Sequence, residues 1–140
     1  MARADFYLIG KPRFRDDPLL LVCELVKKAY AAAQPTLILA RSQEQADALD
    51  DKLWAFDDES FIPHQLAGDE DDAITAVVIA APGVETAERS LVVNLREECA
   101  PGAYERVLEV VAADSAERDG SRVRWTEYKR RGFDVAKHDM

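Results

Sequence analysis

Hydrophobic residues follow two patterns along this chain: short unbroken runs, and apolar positions that recur every three or four residues. Unbroken runs of aliphatic and β-branched residues are typical of strands that are buried on both faces of a sheet. They predict strands over residues 5–10, 36–40, 73–81, 90–95 and 106–111. For the last segment the alternative is a helix that continues from Ala103, and the β-branched residues favour the strand.

Each predicted helix opens with residues that suit a first helical turn. Acidic and hydroxyl side chains accept hydrogen bonds from the free backbone N–H groups there, and proline has no N–H to satisfy. The predicted starts are Asp16-Asp17-Pro18, Ser42-Gln43-Glu44-Gln45 and Asp114-Ser115-Ala116-Glu117. In the second helix Ala46, Leu49 and Leu53 form an apolar stripe. The first helix is expected to end near Gln34-Pro35 and the last at Gly132.

The order of these elements predicts the fold class. Strands alternate with helices in the first half, which implies a parallel sheet with helices on both faces. The third and fourth strands follow each other directly and permit an antiparallel edge. A chain of 140 residues, 48% of them hydrophobic, can form one real core. We therefore predict a single α/β domain over residues 1–140, a three-layer α/β/α arrangement with a mostly parallel sheet of about five strands.

Charge and cysteine content narrow the function classes. The net charge of −9 repels a phosphate backbone, so any role with DNA is expected to be indirect. Cys23 and Cys99 lie far apart without a second ligand at metal-binding spacing, which predicts reduced thiols and no zinc site. The first residues lack the apolar region of a signal peptide, and no membrane span is present. We expect a soluble, cytoplasmic protein without a membrane partner.

An acidic segment interrupts the predicted sheet. Residues 57–72 contain seven carboxylates and no lysine or arginine, which is typical of a long, solvated connection. Calcium binding is the alternative. The cluster 69–72 lacks the glycine and the terminal glutamate that an EF-hand requires, so no metal is expected.

Motifs for catalysis are missing from the sequence. None of the six glycines belongs to a phosphate-binding loop, and no nucleophile elbow occurs. A Cys23 and His64 pair is conceivable, but a cysteine within an apolar helical stripe is most often inert packing. We expect no catalytic site and no cofactor.

An aromatic stretch surrounds the first carboxylates of the acidic segment. Trp54 and Phe56 precede Asp57-Asp58-Glu59, and Phe61-Ile62-Pro63 follows soon after. The stretch fits neither a helical nor a strand period, so we expect Trp54 and Phe56 to end a helix and the second group to lie on a loop. Aromatic residues on a loop suggest a binding partner. The alternative, that these side chains fold back as core anchors, stays open.

The last predicted helix concentrates positive charge. Residues 118–131 contain six lysines or arginines and two acidic residues, a local charge of +4. Spacings of four, three and four put Arg118, Arg122, Trp125 and Lys129 on one face, with Ser121 and Tyr128 beside it. Guanidinium groups next to an indole suit a peptide that carries carboxylates and an apolar end. The alternative is a solvated basic face whose Trp125 points into the core.

These residues, in their order and spacing, identify a resemblance that covers nearly the whole chain. The chain resembles the chi subunit of bacterial DNA polymerase III, an accessory protein of the clamp-loader assembly. The segments that carry the resemblance are Phe6-Tyr7-Leu8, Cys23, Glu44-Gln45-Ala46, Leu49-Asp50, Leu53-Trp54, Phe61-Ile62-Pro63-His64, Val93-Asn94-Leu95 and the run from Arg122 to Gly132-Phe133.

The resemblance implies a non-catalytic subunit of the replicative polymerase holoenzyme with two protein partners. The first is the psi subunit, and the matching residues are Trp54, Phe61, Ile62 and Pro63. The second is the acidic C-terminal tail of single-stranded DNA-binding protein, and the matching residues are Arg118, Arg122, Trp125, Tyr128 and Lys129. The family commonly has tyrosine where Trp125 stands. A repair helicase at the psi-facing surface, and an α/β nucleotide-binding or hydrolytic enzyme with unrecognised motifs, are the alternatives.

Overall fold

The computed structural model describes residues 2–56, 61–68 and 74–140, which form four helices and seven strands. The helices are α1 Pro12–Asp16, α2 Pro18–Ala31, α3 Gln43–Ala55 and α4 Ser115–Arg130. The strands are β1 Arg3–Leu8, β2 Thr36–Leu39, β3 His64–Leu66, β4 Val77–Ala80, β5 Leu91–Asn94, β6 Arg106–Val111 and β7 Asp134–Asp139.

All seven strands belong to one sheet with the order β3-β4-β2-β5-β6-β1-β7. Every neighbouring pair of these described strands is parallel. The prediction of a mostly parallel α/β sheet is therefore confirmed, and the predicted count of five strands is too low. The antiparallel edge that the sequence permitted does not form between β4 and β5, because β2 lies between them.

The two strands that the sequence analysis missed are the edges of the sheet. The edge strand β3 has three residues, too few for a recognisable apolar run. The other edge, β7, has the sequence Asp-Val-Ala-Lys-His-Asp and no fully buried residue. Its position comes from pairing with β1, as in the bond from the Met140 amide to the Leu8 carbonyl at 2.8 Å. Charged residues are frequent on edge strands, where they discourage further pairing.

Helices cover both faces of the sheet, as predicted. One core cluster joins α1, α2 and α3 to the sheet and includes Leu49, Ile38 and Ile62. A second cluster lies on the opposite face, where Tyr128 of α4 packs on Phe6 and Val107. The α3 and α4 helices therefore lie on opposite sides of one sheet.

The predicted helix starts are accurate, although at one of them the acidic side chain does not cap the helix. The Ser42 hydroxyl accepts from the Gln45 amide at 3.0 Å, and the Asp114 carboxylate accepts from the Glu117 amide at 2.8 Å. Asp17 precedes α2 without capping it, because its carboxylate pairs with Lys52 of α3. The short helix α1 was not predicted, and α2 ends at Ala31, slightly before the predicted end.

The acidic segment is described only in part. Residues 57–60 and 69–73 lie outside the described residues, and with them lie the carboxylates of the predicted solvated connection and of the calcium alternative. Within the described ranges, no group of three potential metal ligands occurs. Nor does any described helix have the length and apolar character needed to cross a membrane.

Candidate protein-binding surfaces

Trp54 and Phe61 form an exposed pair at the end of α3. Each residue is 60% exposed, and their ring centroids are 5.2 Å apart. Trp54 lies in the last turn of α3, and Phe61 lies on the segment that enters β3. Of the two interpretations left open by the sequence, the structure favours a surface position over core anchoring. We call Trp54, Phe61 and the half-buried Pro63 the aromatic surface.

Ile62 does not belong to the aromatic surface, which corrects one predicted site residue. Its side chain is 1% exposed and packs in the core cluster of α2 and α3. Successive residues of an extended segment point in opposite directions, so Ile62 turns inward where Phe61 turns outward. A partner that covers Phe61 would therefore not touch the Ile62 side chain.

His64 lies beneath the aromatic surface. Its Nδ1 atom is 2.7 Å from the Ile62 carbonyl oxygen, and its Nε2 atom is 3.1 Å from the Asp50 carbonyl oxygen. The imidazole also contacts the indole of Trp54 edge to face, with centroids 5.0 Å apart. These contacts occupy both ring nitrogens.

The pairing of Cys23 with His64 as a catalytic dyad finds no support. The Cys23 side chain is fully buried in the core, and burial raises the pKa of its thiol to about 12. A thiol with so high a pKa is not a nucleophile near neutral pH. Cys23 is therefore a packing residue, as the apolar stripe of α2 suggested.

A second surface is a groove of about 510 Å³ between α4 and the sheet. Its lining comes from three elements of the fold. The residues are Arg118, Ser121, Arg122, Trp125 and Thr126 of α4, Phe6 and Leu8 of β1, and Lys137 of β7. We call this the basic groove. It combines an apolar floor with positively charged walls.

Trp125 joins the floor of the basic groove to its rim. The indole is half-buried and packs on Phe6 with ring centroids 5.2 Å apart, while the Lys129 ammonium lies 5.7 Å from the indole centroid. Neither alternative from the sequence is complete, because one part of the ring packs on the core and another lines the groove.

The charged side chains that line the groove differ in how strongly their contacts with the protein fix them. Arg118 donates to the Ile9 carbonyl oxygen at 3.1 Å. The Arg122 side chain is 79% exposed, and its pair with Asp119 is equally exposed, so this guanidinium can exchange partners at little cost. Lys137 was missed by the sequence analysis because β7 was missed. Its register opposite Phe6 puts it beside the groove floor.

Tyr128 is not available to a ligand, which corrects a second predicted site residue. It is fully buried, and its hydroxyl donates to Glu109 at 2.6 Å and accepts from the Ala100 amide at 3.0 Å. Ser121, Arg124 and Tyr128 recur at spacings of three and four, so they share the face of α4 that packs on the sheet. Arg118, Arg122 and Trp125 of the groove lie on a neighbouring face, and Ser121 is at the border between the two faces.

Glu109 is the centre of a buried polar cluster under α4. Its carboxylate accepts from the Arg124 Nε atom at 2.8 Å, the Asn94 amide at 2.7 Å and the Tyr128 hydroxyl. Burial raises the pKa of Glu109, and the Arg124 guanidinium and the hydrogen bonds of Tyr128 and Asn94 oppose this rise. Arg124 is thus one of the six cations of the terminal run, but it faces the core. We call Asn94, Glu109, Arg124 and Tyr128 the buried cluster.

Comparison with known proteins links this arrangement to one family. The family model described as DNA polymerase III chi subunit, HolC, matches residues 1–136. DNA polymerase III subunit chi of Pseudomonas aeruginosa is 33% identical over 145 residues, which cover 100% of this chain and 98% of that protein. The same subunit of Escherichia coli strain K12 is 30% identical over 141 residues, which cover 96% of each.

Solved structures extend the comparison to the fold alone. T4 UvsW is similar with a TM-score of 0.67 and 9% identity, over 99% of this chain and 41% of that one. The C-terminal domain of the DEAD-box protein Dbp5 is similar with a TM-score of 0.63 and 14% identity, over 99% and 90% of the two chains. At such low identity the likeness concerns the parallel α/β architecture.

Proposed function

Because this chain belongs to the family of DNA polymerase III chi subunits, we propose that it connects two protein partners within the replication machinery. As a chi subunit it is an accessory subunit of the polymerase holoenzyme in DNA replication. The proposed partners are the psi subunit, at the aromatic surface, and the acidic C-terminal tail of single-stranded DNA-binding protein, at the basic groove. DNA itself is reached only through that second protein.

The exposed pair of Trp54 and Phe61 carries the proposal for psi. Two large aromatic rings that are each 60% exposed are costly in water and are typical anchors of protein interfaces. Their mutual contact and the contact of Trp54 with His64 hold them in one orientation, so a partner would bind a surface that is already ordered. Truncation of such an anchor commonly costs about 2 kcal/mol or more of binding energy.

The basic groove suits an acidic peptide with an apolar end. Arg118, Arg122 and Lys137 would attract carboxylates, while the partly exposed Leu8 and the indole of Trp125 offer apolar contacts. The whole chain has a net charge of −9, so a local concentration of cations is needed to attract an acidic partner. Lys129, which lies over Trp125, adds to the positive electrostatic potential of the basic groove.

The locations of the two surfaces favour simultaneous binding. The aromatic surface lies at the end of α3, and the basic groove is formed by α4 on the opposite face of the sheet. Partners at these two places would not compete for the same residues. This separation also makes the proposal testable by single substitutions.

The test is a crossed pair of variants with calorimetry. Phe61→Ala should abolish binding of psi and keep the tail peptide, whereas Arg122→Glu should lose the tail peptide and keep psi. Tyr30→Ala and Arg130→Glu are matched controls, since Tyr30 is an exposed aromatic on α2 and Arg130 is an exposed arginine on α4 outside the groove. Both controls should bind both partners normally.

Three outcomes would contradict the proposal. Loss of both partners by both variants would indicate one shared surface or unfolding. Normal binding by both variants would show that Phe61 and Arg122 do not contribute to the two binding sites. Capture by the aromatic surface of a repair helicase but not of psi would replace the first partner. A thermal-shift panel of nucleotides tests the enzyme alternative, which predicts stabilisation by a nucleotide and none by the tail peptide.

A further inference from the structure

His64 links the two structural elements that carry the aromatic surface. Its side chain is fully buried. One ring nitrogen reaches Asp50, one turn before Trp54 on α3, and the other reaches Ile62, the residue after Phe61. The ring therefore bridges the helix of one exposed aromatic residue and the loop of the other.

The chemistry of these two contacts depends on the number of protons on the ring. Both partners are backbone carbonyl oxygens, which only accept hydrogen bonds. A ring with one proton can donate to one carbonyl, and its second nitrogen then presents a lone pair to the other oxygen. A ring with two protons donates to both.

A counter-charge for the doubly protonated ring is present. The Asp50 carboxylate lies 3.4 Å from the Nε2 atom of His64. From the loop side the ring meets the Ile62 carbonyl, and from α3 it also meets the uncharged indole of Trp54. Within the described residues, Asp50 is the charged group that the structure puts against this ring.

We infer that His64 is a positioning residue of the aromatic surface, and that it holds Trp54 and Phe61 most firmly when both ring nitrogens carry a proton. The inference rests on the proposed function, because it assigns a pH dependence to the binding of a partner at that surface. With two protons the loop and the helix are tied together, and the partner meets ordered aromatic rings. Loss of the second proton removes one hydrogen bond and loosens the loop.

Partner affinity at the aromatic surface should therefore fall as pH rises. One hydrogen bond corresponds to a change of about fivefold in affinity, which is the size of the effect expected between the two protonation states. The tail peptide, which binds on the opposite face, should show no such dependence on His64. A merely structural histidine would lower stability without producing this pH profile.

The first measurement needs no partner. In a Trp125→Phe background, Trp54 is the remaining tryptophan, and a protonated imidazole in contact with it quenches its emission. Emission should rise in one step as pH rises, and His64→Gln should remove the step. His138→Gln is the matched control, since His138 is the second of the two histidines and lies beside Asp5 in the sheet. The control should keep the step.

The second measurement adds purified psi subunit to chains that retain Trp125. Wild type should bind psi about fivefold more tightly at the low-pH end of the emission step than at its high-pH end, while His64→Gln should give one affinity at both. The tail peptide should bind wild type and His64→Gln equally. If psi fails to bind wild type at any pH, the proposed function fails, and the emission step still tests the role of His64.

Two results would overturn the inference. One is an emission step or a psi pH profile that persists in His64→Gln. The other comes from ring-nitrogen NMR of the wild-type protein, which stays informative even if His64→Gln does not fold. Nitrogens that keep one protonated and one unprotonated signal throughout the pH range in which psi affinity changes would exclude the doubly protonated ring.

Discussion

Replacement of Arg124 by methionine tests whether the buried cluster fixes α4 on the sheet. The Arg124 side chain is 6% exposed, the Glu109 side chain is fully buried, and their atoms approach to 2.8 Å. Methionine keeps the apolar length of the side chain and removes the cation, so Glu109 is left without a counter-charge. Removal of one partner from a buried ion pair typically costs about 3–5 kcal/mol. This is a large part of the stability of a domain, which is about 5–15 kcal/mol.

The assay is urea denaturation with a matched arginine on the same helix. With a slope of about 2 kcal/mol per molar urea, Arg124→Met should lower the unfolding midpoint by about 1.5–2.5 M. Arg130→Met is the control, because its side chain is 76% exposed and its ion pair with Glu127 is on the surface. The control should change the free energy of unfolding by less than about 0.5 kcal/mol.

A double variant separates the ion pair from the rest of the cluster. In Glu109→Met combined with Arg124→Met, Asn94 still donates to the Glu98 carbonyl at 2.8 Å, and the Tyr128 hydroxyl still accepts from Ala100. The Tyr128 hydroxyl and one N–H of Asn94 lose Glu109 as their acceptor, and the Glu97 carbonyl loses Arg124 as its donor. No charge is left buried without a partner, however, and replacement of a whole buried ion pair by apolar residues is often nearly neutral. The double variant should therefore be more stable than Arg124→Met. The reasoning is wrong if the double variant loses as much free energy of unfolding as Glu109→Met and Arg124→Met lose together. It is also wrong if Arg124→Met behaves like Arg130→Met.

Two further substitutions test β1 and β7, which are neighbours at one end of the sheet. Burial raises the pKa of Asp5, but hydrogen bonds from His138, Arg3 and Arg106 lower it by more, so the folded-state pKa is below the unfolded one. The resulting stability is present above an unfolded pKa of about 3.9 and is lost as pH falls below it, so Asp5→Asn should destabilise the protein at pH near 7 and much less near pH 3. Urea midpoints at the two pH values measure this, and an equal loss at both would contradict it. Lys137→Glu should weaken binding of the tail peptide about tenfold by calorimetry, through the field at the groove rim. Lys28→Glu, on α2, is its control and should leave binding unchanged, and equal weakening by both would mean that only net charge matters.

The strands that could be predicted are those whose own residues show the hydrophobic pattern of a strand. The central strands β2, β4 and β5 are buried throughout, and they are apolar except for Thr36 at the start of β2 and Asn94 at the end of β5. The edges β3 and β7 are defined by pairing with distant strands, and their own residues are polar or few. Local pattern therefore identifies the centre of a parallel sheet better than its edges.

Prediction of the candidate surfaces depends on whether each side chain points to the core or to solvent, and the sequence leaves this open. Trp54 and Phe61 have the composition of core residues as much as of interface residues, and their exposure follows from Ile62 and His64 turning inward. The helical spacing puts Tyr128 beside the basic stripe and counts Arg124 among the six cations of residues 118–131, but it does not show that both side chains point into the core. A signal for the buried cluster was present in β6, where Glu109 interrupts an apolar strand and requires a buried cation or donor.

The place of β1 in the sheet has a consequence for how this chain acquires its structure during synthesis. The first strand to be made lies between the last two, with Arg3 opposite Arg106 on one side and Asp134 on the other. One edge of β1 therefore stays unpaired until β6 has been synthesised, and the other until β7 has been synthesised. Contacts between residues so far apart in sequence raise the contact order and slow folding. We expect the half of the sheet that supports the basic groove to fold only after β7 has left the ribosome.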